Sequence, residues 1–187
     1  MRMIPIEPLE TERLLLRKLA MEDVEPFYHR LGGSVAVTKY MLWIPHKSLE
    51  ESAASIQKTL QRYAAGNCYR WGIVRKQDGA LIGMIDLLAF QEADNSCSFA
   101  YMLGEEFWNQ GYGTEALRAV FAFAFQKLQV SVICADHFAE NGASGSVMRK
   151  VGMVFQETIP EKYEKNGIRY DANVYRITKE MWSAHEV

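Results

Sequence analysis

Two glycines one residue apart, Gly111 and Gly113, lie in the stretch FWNQGYGTEAL, directly before a long apolar run. Glycine adopts backbone angles that other residues resist, so successive amides of such a loop can point at one anion. The positive end of a helix that begins there would add to this attraction. The pattern therefore predicts a pyrophosphate site on the amides from Gln110 to Thr114, with the Thr114 hydroxyl as a further donor.

The loop departs from two common nucleotide-binding patterns. It has no lysine, so the GxxxxGK[ST] loop of nucleotide triphosphatases is absent. It also lacks the third glycine of GxGxxG, because Thr114 and Glu115 follow the second glycine and Ala116 occupies the third position. A lone GxG is a weak motif, and a glycine turn that only caps a buried helix is the alternative interpretation of the loop by itself.

A second polar segment, NGASGSVMRKVGM, runs from Asn141 to Met153. Asn141 and Ser144 are short polar residues that favour the start of a helix. Lys150 and Gly152 are typical of a helix end. Taken alone, this segment indicates a short capped helix and no chemistry.

The elements around these motifs follow from hydrophobic periodicity and turn residues. Four helices are predicted: Glu22–Leu31, a helix that starts at the capping box of Ser48 and Glu51 and ends before Gly66, Glu115–Leu128 and Ser144–Val151. Seven strands are predicted: Arg13–Leu19, Tyr69–Arg75, Ala80–Phe90, Ser96–Leu103, Val130–Phe138, Met153–Thr158 and Asp171–Thr178. The wholly apolar run Val120–Phe125 indicates a buried helix that crosses over between two parallel strands of a mixed α/β sheet.

The composition fits one globular domain, which we expect to span residues 1–187. The net charge is −2 and 49% of the residues are hydrophobic, so nothing indicates binding to nucleic acid or to a membrane. No stretch is long and apolar enough to span a membrane, and the first residues lack a signal-peptide core, which predicts a cytoplasmic protein. Cys68, Cys97 and Cys134 lack metal-ligand spacing, so we expect packed, reduced thiols and no metal.

Taken together, the two motifs resemble those of the Gcn5-related N-acetyltransferases (the GNAT superfamily), and within it the RimJ/RimL-like branch of ribosomal-protein N-terminal acetyltransferases. That branch typically reads W-x-x-G-Y-x-T-E-A at the loop and N-x-x-S-x-x-x-x-x-K-x-G downstream. Glu12–Arg17 and Trp43–Glu51 also resemble stretches of this branch, so the resemblance covers nearly the whole chain. The matching motif residues are Trp108, Gly111, Tyr112, Thr114, Glu115, Ala116, Asn141, Ser144, Lys150 and Gly152.

The resemblance implies a fold and a cosubstrate. The fold is α/β (α+β), a GNAT-type mixed and mostly antiparallel sheet of about seven strands with about four helices. Its central strand pair, here Ser98–Leu103 and Val130–His137, is expected to splay apart and to admit the pantetheine arm of acetyl-CoA. The implied cofactor-binding residues are Tyr101, Met102, Leu103, Gln110, Gly111, Tyr112, Gly113, Thr114, Asn141, Ser144 and Lys150.

The resemblance also implies a reaction, the direct attack of a primary amine on the acetyl thioester in a ternary complex. The amine would belong to a protein N-terminus or a small molecule, and the enzyme is expected to be a monomer or homodimer. A backbone amide near Met102 or Leu103 would stabilise the oxyanion, and Ser144 would protonate the thiolate. The expected acceptor-binding residues are Trp43, His46 and Ser98.

The general base is the point at which the sequence departs from its relatives. They often read E-I-G-Y in the fourth strand, whereas this chain has Ser98-Phe99-Ala100-Tyr101, with a serine in place of the carboxylate. Asp86 is the first candidate for the base; the others, besides a chain of waters, are Glu92, Asp136, His137 and His46. Two alternatives stay open: ping-pong transfer through Cys134, which direct transfer in the family disfavours, and a non-catalytic acyl-CoA-binding or sensor protein.

Overall fold

The structure, a computed structural model, describes residues 4–185, and within this range the chain forms one eight-stranded sheet. The strands are β1 (Leu9–Glu10), β2 (Leu14–Arg17), β3 (Tyr69–Arg75), β4 (Ala80–Gln91), β5 (Ser96–Leu103), β6 (Val132–Phe138), β7 (Val154–Lys165) and β8 (Ile168–Thr178). Their order in the sheet is β1-β2-β3-β4-β5-β6-β8-β7. The fold class is confirmed, and the strand beyond the predicted seven is β1, whose two residues are too few to show a periodic pattern.

Six α-helices lie in the described part of the chain: α1 (Val24–Phe27), α2 (Val35–Thr38), α3 (Leu49–Ala64), α4 (Tyr112–Ala122), α5 (Gly142–Lys150) and α6 (Lys179–His185). α1 and α4 continue into π-helical turns at Tyr28–Gly32 and Phe123–Lys127. The four predicted helices correspond to α1, α3, α4 and α5. The sequence reading missed α2 and α6, whose four and seven residues are too short for a clear helical period.

The predicted starts of α4 and α5 are wrong by three and two residues, and each of these differences concerns a motif. α4 begins at Tyr112 because Gly111 is its N-cap residue, so the glycine loop is part of the helix start. α5 begins at Gly142, and its N-cap is Asn141, whose side-chain oxygen accepts the Ser144 amide at 3.3 Å. Ser144 therefore lies inside the first turn of α5 and is not the cap residue.

The start of α3 shows a modified capping box. The Ser48 hydroxyl accepts the Glu51 amide at 3.4 Å, as the sequence predicts. The Glu51 carboxylate, however, accepts the amide of Lys47 at 2.8 Å instead of that of Ser48. The box still satisfies two backbone donors at the helix start, and Gly66 follows the helix with a φ of 69°.

The sheet opens in its middle. β5 and β6 run parallel and pair only over Ser96–Ser98 and Val132–Cys134, although both strands continue beyond that point. All other neighbouring strands are antiparallel. The splayed strand pair is therefore present, and α4 is the crossover between its two strands.

Helices cover both faces of the sheet. On one face, α4 supplies Val120 and Phe121, which are fully buried beside Phe125 and pack against Cys97 and Phe99 of β5. Burial of each such large side chain contributes roughly 1.5–3 kcal/mol. On the other face, α1 and α3 form a second core with alternate residues of the same strands, including Met84 and Met102. β5 is therefore covered on both faces.

Candidate active site

Two depressions meet at β5, and the first is called the α4 groove here. Its volume is about 640 Å³, and it is bounded by the end of β5, the N-terminus of α4, α5 and the segment around Tyr40. Its lining includes Tyr101, Met102, Leu103, Gly111, Tyr112, Gly113, Thr114, Asn141, Ser144 and Lys150. Of the residues predicted to bind the cosubstrate, Gln110 alone lies outside this lining.

The backbone shapes the loop at the head of the α4 groove. Asn109 and Gly111 have φ angles of 58° and 83°, in the left-handed region that favours glycine. A Cβ atom on Gly113 would lie 3.3 Å from the Tyr101 ring and 3.4 Å from Leu103, so this glycine permits close packing of α4 on β5. A Cβ atom on Gly111 would instead lie 3.3 Å from the Arg13 guanidinium.

A charged network ties this loop to the beginning of the chain. The Glu115 carboxylate accepts hydrogen bonds from the Thr11 hydroxyl at 2.5 Å and from the Arg13 amide and Nε at 2.9 and 2.7 Å. Arg13 also donates to the Gln110 carbonyl at 3.0 Å and stacks on the Tyr112 ring. Burial alone would raise the pKa of Glu115, but these hydrogen bonds lower it overall. Glu115 therefore holds the loop in place and is not directed at a ligand.

The backbone of β5 is left unpaired along the gap. Gly104 donates its amide to the Ile82 carbonyl at 2.9 Å, which fixes the alternation of the antiparallel ladder between β4 and β5. Met102 therefore bonds to β4, whereas the backbone of Tyr101 and Leu103 faces β6. The Leu103 carbonyl accepts the Trp108 indole N–H at 2.8 Å. Of the two amides named as oxyanion donors, only that of Leu103 points into the gap.

Ser144 lies at the edge of this gap in a small polar cluster. Its hydroxyl accepts a hydrogen bond from the Asn141 side-chain amide at 2.9 Å. The Tyr101 phenol lies in the same groove; burial raises the pKa of Tyr101, while its interaction with Ser144 acts in the opposite direction. A serine, a tyrosine and an asparagine thus converge where the α4 groove meets the unpaired strand.

The second depression, called the α3 pocket here, has a volume of about 480 Å³ and lies on the opposite face of β5. It shares Met41, Tyr101 and Met102 with the α4 groove, so the two depressions meet there. Its polar lining residues are His46, Glu51, Ser55, Lys58, Thr59, Arg62, Arg70 and Asp86. Trp43, Phe27 and Met84 form part of its apolar wall.

Asp86, the predicted base, is held by an arginine that the sequence reading did not single out. Arg70 stands directly opposite it on β3 and donates from Nε and Nη2 to the two carboxylate oxygens, at 2.6 and 2.9 Å. The third nitrogen of Arg70 donates to the Thr59 hydroxyl at 2.9 Å. Such bidentate pairing holds the Asp86 carboxylate in one orientation and leaves a further lone pair on each of its oxygens.

His46 and Trp43 lie together on the wall of the α3 pocket. Nδ1 of His46 is 2.8 Å from the hydroxyl of the fully buried Ser52, and the ring packs on Trp43 with 5.2 Å between centroids. The His46 amide donates to the Gly32 carbonyl at 2.8 Å. His46 is therefore fixed in orientation through one ring nitrogen and its backbone.

The other predicted acceptor residue and base candidates lie outside both depressions. Ser98 is the last residue of β5 that pairs with β6, and it lies opposite Cys134. Burial raises the pKa of the Cys134 thiol, which disfavours the thiolate. The Asp136 carboxylate is bonded by side chains of β7, and His137 is buried with Nδ1 bonded to the Phe138 carbonyl. The remaining candidate, Glu92, lies in the exposed turn after β4.

The sequence model of the Acetyltransferase (GNAT) domain family matches residues 13–154, and the chain belongs to this family. The chain is similar to the uncharacterized N-acetyltransferase YoaA of Bacillus subtilis, with 32% identity over 177 residues, 95% of this chain and 98% of that protein.

Solved structures agree. A GNAT-family acetyltransferase from Bacillus anthracis matches with a TM-score of 0.84 and 21% identity, over 93% of this chain and 99% of that one. RimL, a ribosomal L7/L12 alpha-N-protein acetyltransferase in complex with coenzyme A, matches with a TM-score of 0.82 and 19% identity, over 92% and 98%. At these identities the two structures show the shared fold. The predicted GNAT family is confirmed by the family model.

Two further observations concern metal binding and membrane-spanning helices. Across residues 4–185, no group of three or more His, Cys, Asp or Glu side chains is arranged to hold a metal ion. No helix in the same range is long and apolar enough to cross a membrane.

Proposed function

We propose that this protein transfers the acetyl group of acetyl-CoA to a primary amine of a protein N-terminus or a small molecule. The observation that carries the proposal is the meeting of the α4 groove and the α3 pocket at Tyr101 and Met102, beside unpaired backbone of β5. The cosubstrate would occupy the α4 groove, with its pyrophosphate at the α4 N-terminus, and the amine would arrive through the α3 pocket. Membership in the GNAT family supports this assignment.

The proposed chemistry is a direct transfer in the ternary complex. The amine nitrogen, after losing a proton, forms a bond to the thioester carbonyl carbon, and the carbon–sulfur bond breaks. The Leu103 amide faces the gap and would stabilise the oxyanion, while the Ser144 hydroxyl would protonate the departing thiolate. Asp86 would take the amine proton from the other face of β5, directly or through water, and His46 is another candidate base that lines the same pocket.

The test is release of free thiol from acetyl-CoA during incubation with a panel of amines and peptides. Ser144→Ala is expected to lower kcat about a hundredfold without changing the Kd for acetyl-CoA. Ser183→Ala, an exposed serine on α6, is the matched control and should retain full turnover. If the wild-type protein releases no thiol with any amine or peptide of a broad panel, the proposal is wrong.

A second candidate function, a non-catalytic acyl-CoA-binding or sensor protein, is favoured by two observations. Ser98 replaces the carboxylate common in relatives, and Asp86 has both oxygens bonded to Arg70. This candidate predicts thermal stabilisation by acetyl-CoA without turnover. Ser144→Ala and Asp86→Asn variants that bind acetyl-CoA normally but lose turnover would reject it.

The place of action and the assembly state belong to the same proposal. Cytoplasmic location, a single domain over residues 1–187 and a monomer or homodimer stay predictions from the sequence. Light scattering of the purified protein and fractionation of expressing cells test them.

A further inference from the structure

The α3 pocket carries an excess of positive charge. Its charged lining residues are the cations Lys58, Arg62 and Arg70 and the carboxylates Glu51 and Asp86. Arg70 and Asp86 neutralise one another through their two short contacts. Glu51 already accepts the Lys47 amide at the start of α3. The cations whose charge remains available to a ligand are therefore Lys58 and Arg62.

The side chains of Lys58 and Arg62 take no part in the packing of the core. Both side chains are exposed, and neither forms a hydrogen bond or ion pair with any residue between 4 and 185. They stand four residues apart on the same face of α3, where like charges repel and slightly destabilise the helix. Arg62 lies in the last turn of α3, where the helix dipole favours a cation, whereas Lys58 has no such contribution.

The geometry of α3 allows both cations to reach one anion. Ser55, Lys58, Thr59 and Arg62 follow the spacing of a single helix face, and all of them line the pocket. Residues four apart on a helix are about 6 Å apart along its axis, well within the reach of two long side chains. Lysine and arginine both bind carboxylates and phosphates through charge-assisted hydrogen bonds.

The residues shared by the two depressions show where a bound anion would lie relative to the reacting amine. The α3 pocket opens onto the α4 groove at Met41, Tyr101 and Met102, whereas Lys58 and Arg62 belong to the pocket alone. A molecule that fills the pocket could place its amine at β5 and a negative group at α3. The hydrophobic wall with Trp43 lies beside this path and suits an apolar spacer.

We propose that the acceptor is a primary amine that also carries an anionic group, a carboxylate or a phosphate, which Lys58 and Arg62 bind in the α3 pocket. This inference rests on the proposed function and specifies its substrate class. Such an acceptor differs from a simple cationic amine, which a negatively charged cleft would attract.

The experiment compares matched amines that differ in one anionic group. β-Alanine against β-alaninamide tests the carboxylate, and O-phosphoethanolamine against ethanolamine tests the phosphate. The wild-type protein should give a kcat/KM about tenfold higher for the anionic member of at least one pair, because one charge-assisted contact supports a preference of that size. The pair that shows the preference identifies the anion.

The double variant Lys58→Gln, Arg62→Gln should remove this preference by raising KM for the anionic amine about tenfold, with little change for the neutral one. Glutamine is a good helix former, and both positions are exposed, so folding should be retained. The control Lys127→Gln removes an exposed cation outside both depressions and should leave the preference intact. The Kd for acetyl-CoA should be the same in all of these proteins.

Each other outcome has a definite meaning. Equal turnover of the two members of both pairs overturns the inference and leaves the proposed function standing. A loss of acetyl-CoA affinity in the double variant also overturns it, because the cations would then serve the cosubstrate. If no amine reacts, the proposed function fails, and calorimetric titration of each pair into the CoA-saturated protein then decides whether the pocket prefers the anion.

Discussion

The α4 groove and the α3 pocket lie on opposite faces of the same strand but are built in different ways. The groove is formed by backbone: a left-handed Gly111, a close-packed Gly113 and the unpaired amides of β5. The pocket is formed by charged and aromatic side chains that come from α3, from three strands and from the segment around Trp43. A backbone site is specified by a few glycines in one short motif, whereas a side-chain site depends on residues distant in sequence and can change its specificity by single substitutions.

Gly111→Val is the strongest test of the backbone origin of the groove. A β-branched residue strongly resists a φ of 83°, and its Cβ would approach Arg13, so the loop must shift. We expect acetyl-CoA affinity to fall about a hundredfold, roughly 2.7 kcal/mol. Calorimetry measures it, and the control is Gly79→Val, which has a φ of 69° in a turn away from both depressions. Normal affinity in Gly111→Val would show that the loop conformation does not matter.

Arg70→Gln tests the side-chain origin of the pocket. The substitution leaves the Asp86 carboxylate, which is 13% exposed, without its bidentate partner, so the free energy of unfolding should fall by about 1–2 kcal/mol. Urea denaturation measures this loss. Arg169→Gln breaks an ion pair in which both side chains are more than 60% exposed, and it should change stability by less than about 0.5 kcal/mol. Equal effects of the two variants would argue against a structural role for the buried pair.

His137, which packs beneath α5 at the side of the groove, is expected to make the free energy of unfolding depend on pH. It is buried beneath α5, near Gly145, and burial lowers its pKa below the usual value of 6.5. As the pH falls through about 6.5, the unfolded chain binds a proton that the folded protein does not, so the free energy of unfolding decreases. Urea midpoints at about pH 7.5 and about pH 5.5 should therefore differ more in the wild type than in His137→Gln. The exposed His29→Gln variant should keep the wild-type difference, and a loss of that difference there would point to another group.

Gln110→Ala should have the smallest effect. The Gln110 side chain donates to the Glu106 carbonyl at 2.7 Å and lies outside the groove lining, so it supports the loop without facing a ligand. We expect acetyl-CoA affinity to change by less than about threefold. A loss as large as that of Gly111→Val would mean that the side chain contacts the phosphates and that the groove is not a backbone site.

The residues named for the cosubstrate, apart from Gln110, line one groove, because the determinants of that groove are local. The glycine loop and the segment from Asn141 to Lys150 each encode a helix start, and the order of strands brings both to one end of β5. The sequence left two candidate caps for α5, because Asn141 and Ser144 are about equally good N-cap residues in isolation. Only the structure shows which one adopts the non-helical angles.

The pocket was largely missed because its determinants are not local. Arg70 and Asp86 are sixteen residues apart in sequence and become partners through the register of β3 and β4, which periodicity alone does not fix. Lys58 and Arg62 form a like-charge pair at helical spacing after a clear capping box, and this pattern indicates a binding site only weakly. Ser98 was named from its place in a family motif, but in the structure it lies at the last paired position of β5 outside both depressions.

The opening of the sheet after Ser98 has a consequence for hydrogen exchange. The amides of Tyr101 and Leu103 face the gap and have no strand partner there, so in the free protein they should exchange quickly with deuterium although they lie in the centre of a sheet. Any molecule that fills the gap and accepts these hydrogen bonds would slow their exchange while the flanking amides of Ala100 and Met102 stay protected in both states. The alternation of fast and slow amides along one strand is therefore a direct reporter of occupancy.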